Sequence, residues 1–261
     1  MKKLAIIGAS YLQLPLVKKA KEMGIETHCF AWKEGAVCET FADFFYPISI
    51  TEKENILDVC QKIRIDGITS ISSDLAVNTV NYIAESMSLI GNSYTKAFTD
   101  KYEMRKKFQE HGVLSPKYIL SDGISKDFDS ILKPPLIVKP TDRSGSRGVS
   151  LVENSSNLSS ALSYAHDESF SKRVIIEEFI SGNEVSVESI SWKGNHYVLA
   201  ITDKVTTGAP YFVELEHHQP SLLPETIQEK IKAQTIKALN ALNIQYGASH
   251  AEFKITDNGD V

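Results

Sequence analysis

Short apolar runs alternate with amphipathic segments over the first third of the chain. Three of these runs have the length and apolar content of buried strands: residues 4–7, 26–31 and 68–72. Apolar positions at helical spacing predict helices between and after them, over residues 12–23, 56–63 and 75–85. Strands and helices that alternate in this way form a doubly wound parallel sheet, so we expect an α/β lobe at the start of the chain.

The pattern changes after about residue 100. Asp100 is a favourable N-cap for a helix over residues 101–110, which Gly112 ends. Strand-like runs then dominate, at residues 136–138, 174–179, 184–192, 196–203 and 247–255. A Lys-Gly-Asn turn at residues 193–195 joins two of them into an antiparallel pair. A short helix is predicted near residues 158–165, and a long helix is predicted with Pro224 in its first turn.

One polar loop interrupts the apolar runs between Leu136 and Val152. Lys139 ends the first strand, where an unpaired ammonium would be costly, so it needs an anionic partner. Glycines allow positive φ and close backbone approach, while serines and arginines add donors and charge, which suits a polyphosphate. These loop residues are Arg143, Ser144, Gly145, Ser146, Arg147 and Gly148. The same composition is also typical of an exposed hairpin loop.

Composition narrows the functional classes. The 261 residues carry a net charge of −5, and no basic tract is longer than residues 105–107, so neither nucleic acid nor an anionic membrane is indicated as a partner. Cys29, Cys38 and Cys60 are odd in number and lack zinc or disulfide spacing, which fits a reducing compartment. No apolar stretch is long enough to span a bilayer, so we predict a cytoplasmic protein.

Several motifs follow one another in a characteristic order. Asp100, Lys101 and Met104 precede Lys139 and the polar loop, and the run VIIEEFISGNE at residues 174–184 follows. This series resembles the ATP-grasp superfamily, especially its carboxylate–amine ligases, and also the related carbamoyl-phosphate synthase large chains and biotin carboxylases. The resemblance covers the chain from about residue 3 onward and implies ATP and Mg²⁺ as cofactors.

The resemblance also implies a domain plan. Residues 1–93 correspond to a Rossmann-like domain that precedes the ATP-grasp unit, residues 94–177 to a linking helix and lid, and residues 178–261 to a core. The expected fold is therefore an α/β protein: a doubly wound parallel lobe, then a lid, then an incomplete antiparallel α+β core. Residues 204–214 resemble the substrate-side loop of the family.

Nucleotide-binding roles follow from the same resemblance. Phosphate contact is implied for Lys101, Lys139, Ser144, Gly145, Ser146 and Gly148. Glu177, Glu178 and Ile180 would border the adenine, and Glu184 would accept hydrogen bonds from the ribose hydroxyls with its two oxygens.

Catalytic and metal roles complete the implied site. Lys139, Arg143 and Arg147 would neutralise the transferring phosphoryl group, and Glu252 would be the first carboxylate on magnesium. Without the resemblance, Lys101 reads as a solvated surface lysine and Glu252 as part of an ordinary exposed strand face.

The implied activity is an ATP-dependent ligase that joins a small-molecule carboxylate to an amine through an acyl phosphate. A bicarbonate-activating enzyme like biotin carboxylase or carbamoyl-phosphate synthase shares the same motifs, and a nucleotide-binding module without turnover is a third alternative. Residues 256–260 predict a hairpin turn without a returning strand. We therefore expect a fragment of a longer protein with weak activity, whose last strand can pair with another copy to form a homo-oligomer.

Overall fold

The computed structural model of the chain describes residues 1–122, 132–208 and 213–261, which fall into two compact units. Met1–Thr99 is the first unit and Asp100–Val261 is the second. The second unit contains two separate antiparallel sheets. The three-part division at residues 93 and 177 stays a prediction.

The first unit is a parallel sheet covered by helices. Its strands are β1 (Lys3–Ile7), β2 (Glu26–Phe30), β3 (Phe44–Tyr46) and β4 (Gly67–Thr69). They lie in the order β3-β2-β1-β4, with every neighbouring pair parallel. The helices of this unit are α1 (Leu14–Glu22), α2 (Lys53–Ile63) and α3 (Asp74–Ser86).

Side chains of the central strand β1 point alternately into two apolar layers. Ala5 and Ile7 pack with Ile56 of α2, while Ile6 packs with Val17 of α1. All five side chains are fully buried. Helices therefore cover both faces of the sheet, which explains why residues 4–7 of β1 are all apolar and confirms the predicted doubly wound lobe.

The first sheet of the second unit carries the polar loop. Its strands are β5 (Tyr118–Ser121), β6 (Leu136–Pro140), β7 (Ser150–Val152) and β8 (Val174–Glu178), in the order β5-β8-β6-β7. Helix α4 (Lys101–Glu110) precedes them in the chain, and α5 (Leu158–Glu168) packs on the sheet. Leu136 and Val138 of β6 contact Leu162 of α5 in the core between them.

The second sheet of this unit has one covered face. Its strands are β9 (Asn183–Trp192), β10 (Asn195–Thr206), β11 (Glu214–His218) and β12 (Tyr246–Ile255), in the order β11-β10-β9-β12. Helix α6 (Glu225–Ala241) packs its buried Ile231 against Val185, Val187 and Ile201. Because strand side chains alternate, the residues between these valines point to the opposite face.

The sequence pattern did not predict β3, β5 and β11. Each of them lies at the edge of its sheet and pairs with one neighbour. An edge strand buries less surface than a central one, so its sequence needs little apolar alternation; β11 is exposed along its whole length. The predicted α/β class, with a parallel sheet followed by antiparallel sheets, is confirmed. Every helix in the described parts of the chain is too short or too polar to cross a membrane.

Candidate active site

The loop between β6 and β7 is anchored at its start. Thr141 is fully buried, and its backbone oxygen accepts a hydrogen bond from the nitrogen of Lys101 at 2.8 Å. The Asp142 carboxylate accepts from Ser169 Oγ at 2.9 Å and from the backbone nitrogen of Ser171 at 2.7 Å. These bonds tie the loop to the N-terminus of α4 and to the segment after α5.

Beyond this anchor the loop turns sharply, with residues 144–147 exposed and Gly148 buried. The φ angles of Gly145, Ser146 and Gly148 are 67°, 53° and 74°. Backbone N–H groups in a tight turn can point toward a common centre, a geometry that binds anions. The positive φ expected for the two glycines is confirmed, and Ser146 shares it.

The ammonium of Lys139 is bound to a buried carboxylate. Its Nζ lies 2.6 Å from Glu177 Oε2, while Arg105 Nε donates to Glu177 Oε1 at 2.8 Å. Burial alone would raise the pKa of Glu177, but the charges of Lys139 and Arg105 outweigh it and hold the pKa at about 2. Glu177 is therefore the anionic partner that the sequence required for Lys139.

The two loop arginines have different surroundings. Arg143 Nε donates to the backbone oxygen of Glu168 at 2.6 Å, and its guanidinium lies 4.0 Å from the ring centre of Phe170. Arg147 is exposed, and its Nε donates to the Ser144 oxygen at 3.2 Å. Arg143 thus closes the C-terminal end of α5, whereas Arg147 stands on the exposed turn.

A second cluster lies on the open face of the other sheet, around Lys204. Its Nζ is 2.9 Å from Glu184 Oε1, 2.6 Å from Glu214 Oε1 and 2.5 Å from Glu252 Oε1. The Lys204 side chain is only 2% exposed. Lys254 Nζ lies 3.0 Å from the other oxygen of Glu184. Three carboxylates from three strands therefore meet at one buried cation.

These contacts shift the pKa values of the cluster. Burial alone would lower the pKa of Lys204, but its hydrogen bonds to Glu214, Glu252 and Glu184 outweigh it and raise the pKa above the usual value. The neighbouring His250 and then Lys204 hold the pKa of Glu252 at about 2, against the effect of burial. At neutral pH the carboxylate and the ammonium are therefore both charged.

Residues 132–261, which contain the anchored loop and the Lys204 cluster, match the ATP-grasp domain. The chain carries an ATP-grasp domain. The resemblance read from the sequence is thereby confirmed.

Several known proteins are similar to this chain. Alanine–anticapsin ligase of Bacillus subtilis (strain 168) is 28% identical in an alignment that covers 84% of this chain and 54% of that protein. The carbamoyl phosphate synthase large chain of Clostridium beijerinckii is 25% identical in an alignment that covers 94% of this chain and 24% of that protein. The chain thus spans about half the length of the first relative and about a quarter of the second.

A solved structure supports the fold. N5-carboxyaminoimidazole synthetase of Staphylococcus aureus, complexed with ADP, aligns with a TM-score of 0.80 at 19% identity. The alignment covers 99% of this chain and 68% of that chain. The architecture of the two proteins is therefore shared across nearly the whole chain described above.

The second unit brings the predicted site residues together in two groups. The first group surrounds the anchored loop and contains Lys101, Lys139, Arg143, Ser144, Gly145, Ser146, Arg147, Gly148 and Glu177. Lys101 Nζ donates to the Arg143 oxygen at 2.5 Å, so this lysine borders the loop. The second group pairs Glu184 and Glu252 through Lys204.

Two predicted adenine neighbours lie at the end of β8. The Glu178 carboxylate accepts from the Lys117 nitrogen at 2.8 Å, and Ile180 is half-buried just beyond the strand. The Glu177 side chain points to Lys139 and Arg105, so its expected position beside the adenine can apply to its backbone only. The roles of all these residues remain predictions.

Sequence reasoning missed Arg105, Lys204 and Glu214 as site residues. Arg105 is 72 positions from Glu177, and only the packing of α4 shows the contact. Lys204 stands directly opposite Glu184, but the β9–β10 register shifts between Val198 and Ala200, and the sequence pattern does not show this shift. Part of the expected substrate-side loop, residues 209–212, lies outside the described residues.

Proposed function

We propose that this protein binds ATP with magnesium and catalyses the ATP-dependent ligation of a carboxylate to an amine. The observation that carries the proposal is the convergence of Glu184, Glu214 and Glu252 on one buried cation, in the same domain as a cationic, glycine-containing loop. The similarity to alanine–anticapsin ligase supports the reaction class.

The Lys204 cluster supplies the donor type that magnesium takes, although Lys204 occupies its centre and the described residues hold no ready-made group of three metal-ligating side chains. Its donors are carboxylate oxygens, the hard ligands that magnesium prefers, and they already surround a cation at 2.5–2.9 Å. Glu252 would hold the metal, and magnesium there would neutralise charge on the transferring phosphoryl group.

Positioning is the main task of the remaining residues. The loop amides, Lys101 and Lys139 would hold the polyphosphate, and Arg147 on the exposed turn would close on its end. Glu177 keeps the Lys139 ammonium in place, and Glu184 would accept from the ribose hydroxyls. Arg143 would contribute by fixing the loop to Glu168, since its guanidinium is already engaged there.

A carboxylate does not react with an amine at neutral pH because it lacks a leaving group. Transfer of the terminal phosphoryl group of ATP to a carboxylate oxygen would give an acyl phosphate and ADP. The amine nitrogen would then attack the acyl carbon, and phosphate would leave. No side-chain nucleophile is required, so charge neutralisation and alignment account for the catalysis.

A bicarbonate-activating reaction is the second candidate. It is favoured by the similarity to the carbamoyl phosphate synthase large chain, which extends over 94% of this chain. We further infer a cytoplasmic enzyme, because Cys29, Cys38 and Cys60 are free thiols.

The test offers hydroxylamine with ATP, magnesium and a panel of carboxylic acids, and measures ADP and hydroxamate. We expect hydroxamate with one class of acid, and bicarbonate-dependent ADP release without hydroxamate for the second candidate. Glu252→Gln, which keeps the side-chain size, should abolish both signals. ATP binding without any ADP release would contradict the proposed ligase activity and would favour a nucleotide-binding module without turnover.

A further inference from the structure

Lys204 connects three strands through its charge. Its ammonium contacts Glu184 on β9, Glu214 on β11 and Glu252 on β12, and Lys204 itself belongs to β10. Glu184 stands directly opposite Lys204 in the β9–β10 register. A single side chain thus gathers carboxylates from every other strand of the described sheet.

The charges of this cluster need a cation at its centre. Three carboxylates meet at Lys204, and each also has a basic neighbour of its own: Lys254 at Glu184, His217 at Glu214 and His250 at Glu252. Lys254 contacts Glu184 from the rim, with 36% of its side chain exposed, and the central ammonium belongs to Lys204. Without Lys204, carboxylate oxygens that now share one hydrogen-bond donor would repel each other at short range.

A lysine side chain can move its ammonium away from the carboxylates without a change in the strands. Its ammonium is a compact charge on a flexible stem, whereas the carboxylates stand on paired strands. Ammonium and magnesium both prefer hard oxygen partners, so the same carboxylates serve either cation in turn.

We propose that Lys204 is a positioning residue, an internal counter-ion that holds Glu184, Glu214 and Glu252 together until magnesium arrives and then releases Glu252 to the metal. This inference rests on the proposed function, since it assigns the metal to the same cluster. A metal ion alone then competes with Lys204, and it binds well only when an incoming anionic nucleotide draws the ammonium away.

The test measures metal binding without nucleotide, with Mn²⁺ as the probe and free Mn²⁺ followed by electron paramagnetic resonance. Wild type should bind Mn²⁺ weakly, and Lys204→Met should bind it about tenfold more tightly or better, because the carboxylates lose their internal cation. Mn²⁺ should also raise the melting temperature of Lys204→Met and leave that of wild type nearly unchanged. Equal Mn²⁺ affinity in both proteins would overturn the proposal.

Matched variants separate this role from a general loss of charge. Lys254→Met removes a lysine that contacts Glu184 alone, so it should improve Mn²⁺ binding much less. Lys204→Arg keeps the positive charge and should behave like wild type. Lys204→Met combined with Glu252→Gln should lose the gained affinity, and affinity that persists would place the metal elsewhere.

A second variant is used in case Lys204→Met folds poorly. Lys204→Met combined with Glu214→Gln removes one negative charge together with the positive one, and the same gain in Mn²⁺ affinity over wild type is expected. Binding of magnesium ADP to wild type is measured separately by calorimetry. Absence of magnesium ADP binding would contradict the proposed function. The Mn²⁺ comparison contains no nucleotide, so it tests the role of Lys204 separately.

Discussion

The Lys139–Glu177 pair determines what substitutions at either position do. Glu177 is 3% exposed and is held by Lys139 and Arg105, so removing one partner leaves a buried charge less compensated. Lys139→Ala should therefore lower the melting temperature even without ATP. The sequence does not reveal this effect, because the partner Glu177 on β8 is 38 positions away.

The pH dependence of stability follows from Glu177. Its pKa is about 2 in the folded protein and near its usual 4.5 when unfolded. A lowered carboxyl pKa stabilises the fold above pH 4.5, and this stabilisation is lost as the pH falls toward 2. Between pH 6 and pH 3 the group should account for a loss of about 2 kcal/mol in the free energy of unfolding.

Urea unfolding of wild type and Glu177→Gln at both pH values measures this contribution. The amide cannot titrate, so the variant should lose less free energy of unfolding between pH 6 and pH 3, although it is less stable at pH 6. Glu178→Gln is the control, since its half-buried carboxylate accepts a backbone hydrogen bond only from Lys117 among the contacts described. An identical pH dependence in wild type and Glu177→Gln would show that the pair contributes nothing.

At the scale of elements, the β6–β7 loop contains two glycines with different constraints. Both have positive φ, 67° at Gly145 and 74° at Gly148. A Cβ on Gly148 would lie 2.7 Å from Pro140 Cγ and 2.9 Å from Glu168 Cβ, whereas one on Gly145 would meet no described atom within 4 Å. A side chain at either position would therefore strain the backbone, but only a side chain at position 148 would also clash with its neighbours.

Alanine at each position separates the two effects. Gly145→Ala should lower the free energy of unfolding by about 1 kcal/mol through left-handed strain alone. Gly148→Ala should cost about 2 kcal/mol more, because Pro140 and Glu168 must move. Urea unfolding measures both values, and an equal cost at the two positions would contradict the close packing of Gly148 against Pro140.

At the scale of the whole molecule, Met1–Thr99 has its own sheet, helices and core. A unit with its own buried core can fold alone. We expect residues 1–99, expressed separately, to show α/β circular dichroism and one cooperative thermal transition. In this fragment Ile56→Ala should cost about 2–5 kcal/mol, because Ile56 is fully buried.

Met23→Ala is the matched control in the same fragment. Met23 is 64% exposed, so its truncation should change the free energy of unfolding by less than about 0.5 kcal/mol. A fragment without a cooperative transition would mean that the first unit depends on the rest of the chain.

The sequence by itself determined the fold class and most of the elements. Helix α4 begins and ends where the pattern predicted, and Asp100 caps it by accepting from the nitrogens of Tyr102 and Glu103. The anchored loop, its glycines and Lys139 were also found. These features depend on spacing, capping and turn chemistry between residues that are close in sequence. Such local signals can be read from one sequence alone.

Tertiary structure alone decided which charges meet. Glu177 is 38 positions from Lys139 and 72 from Arg105, and the cluster around Lys204 includes Glu252, 48 positions away. Such contacts depend on strand order and register, which are set by the burial of the whole sheet and leave no periodic trace in the local sequence. The edge strands β3, β5 and β11 escaped prediction for the same reason, since pairing with a neighbour, and not their own pattern, makes them strands.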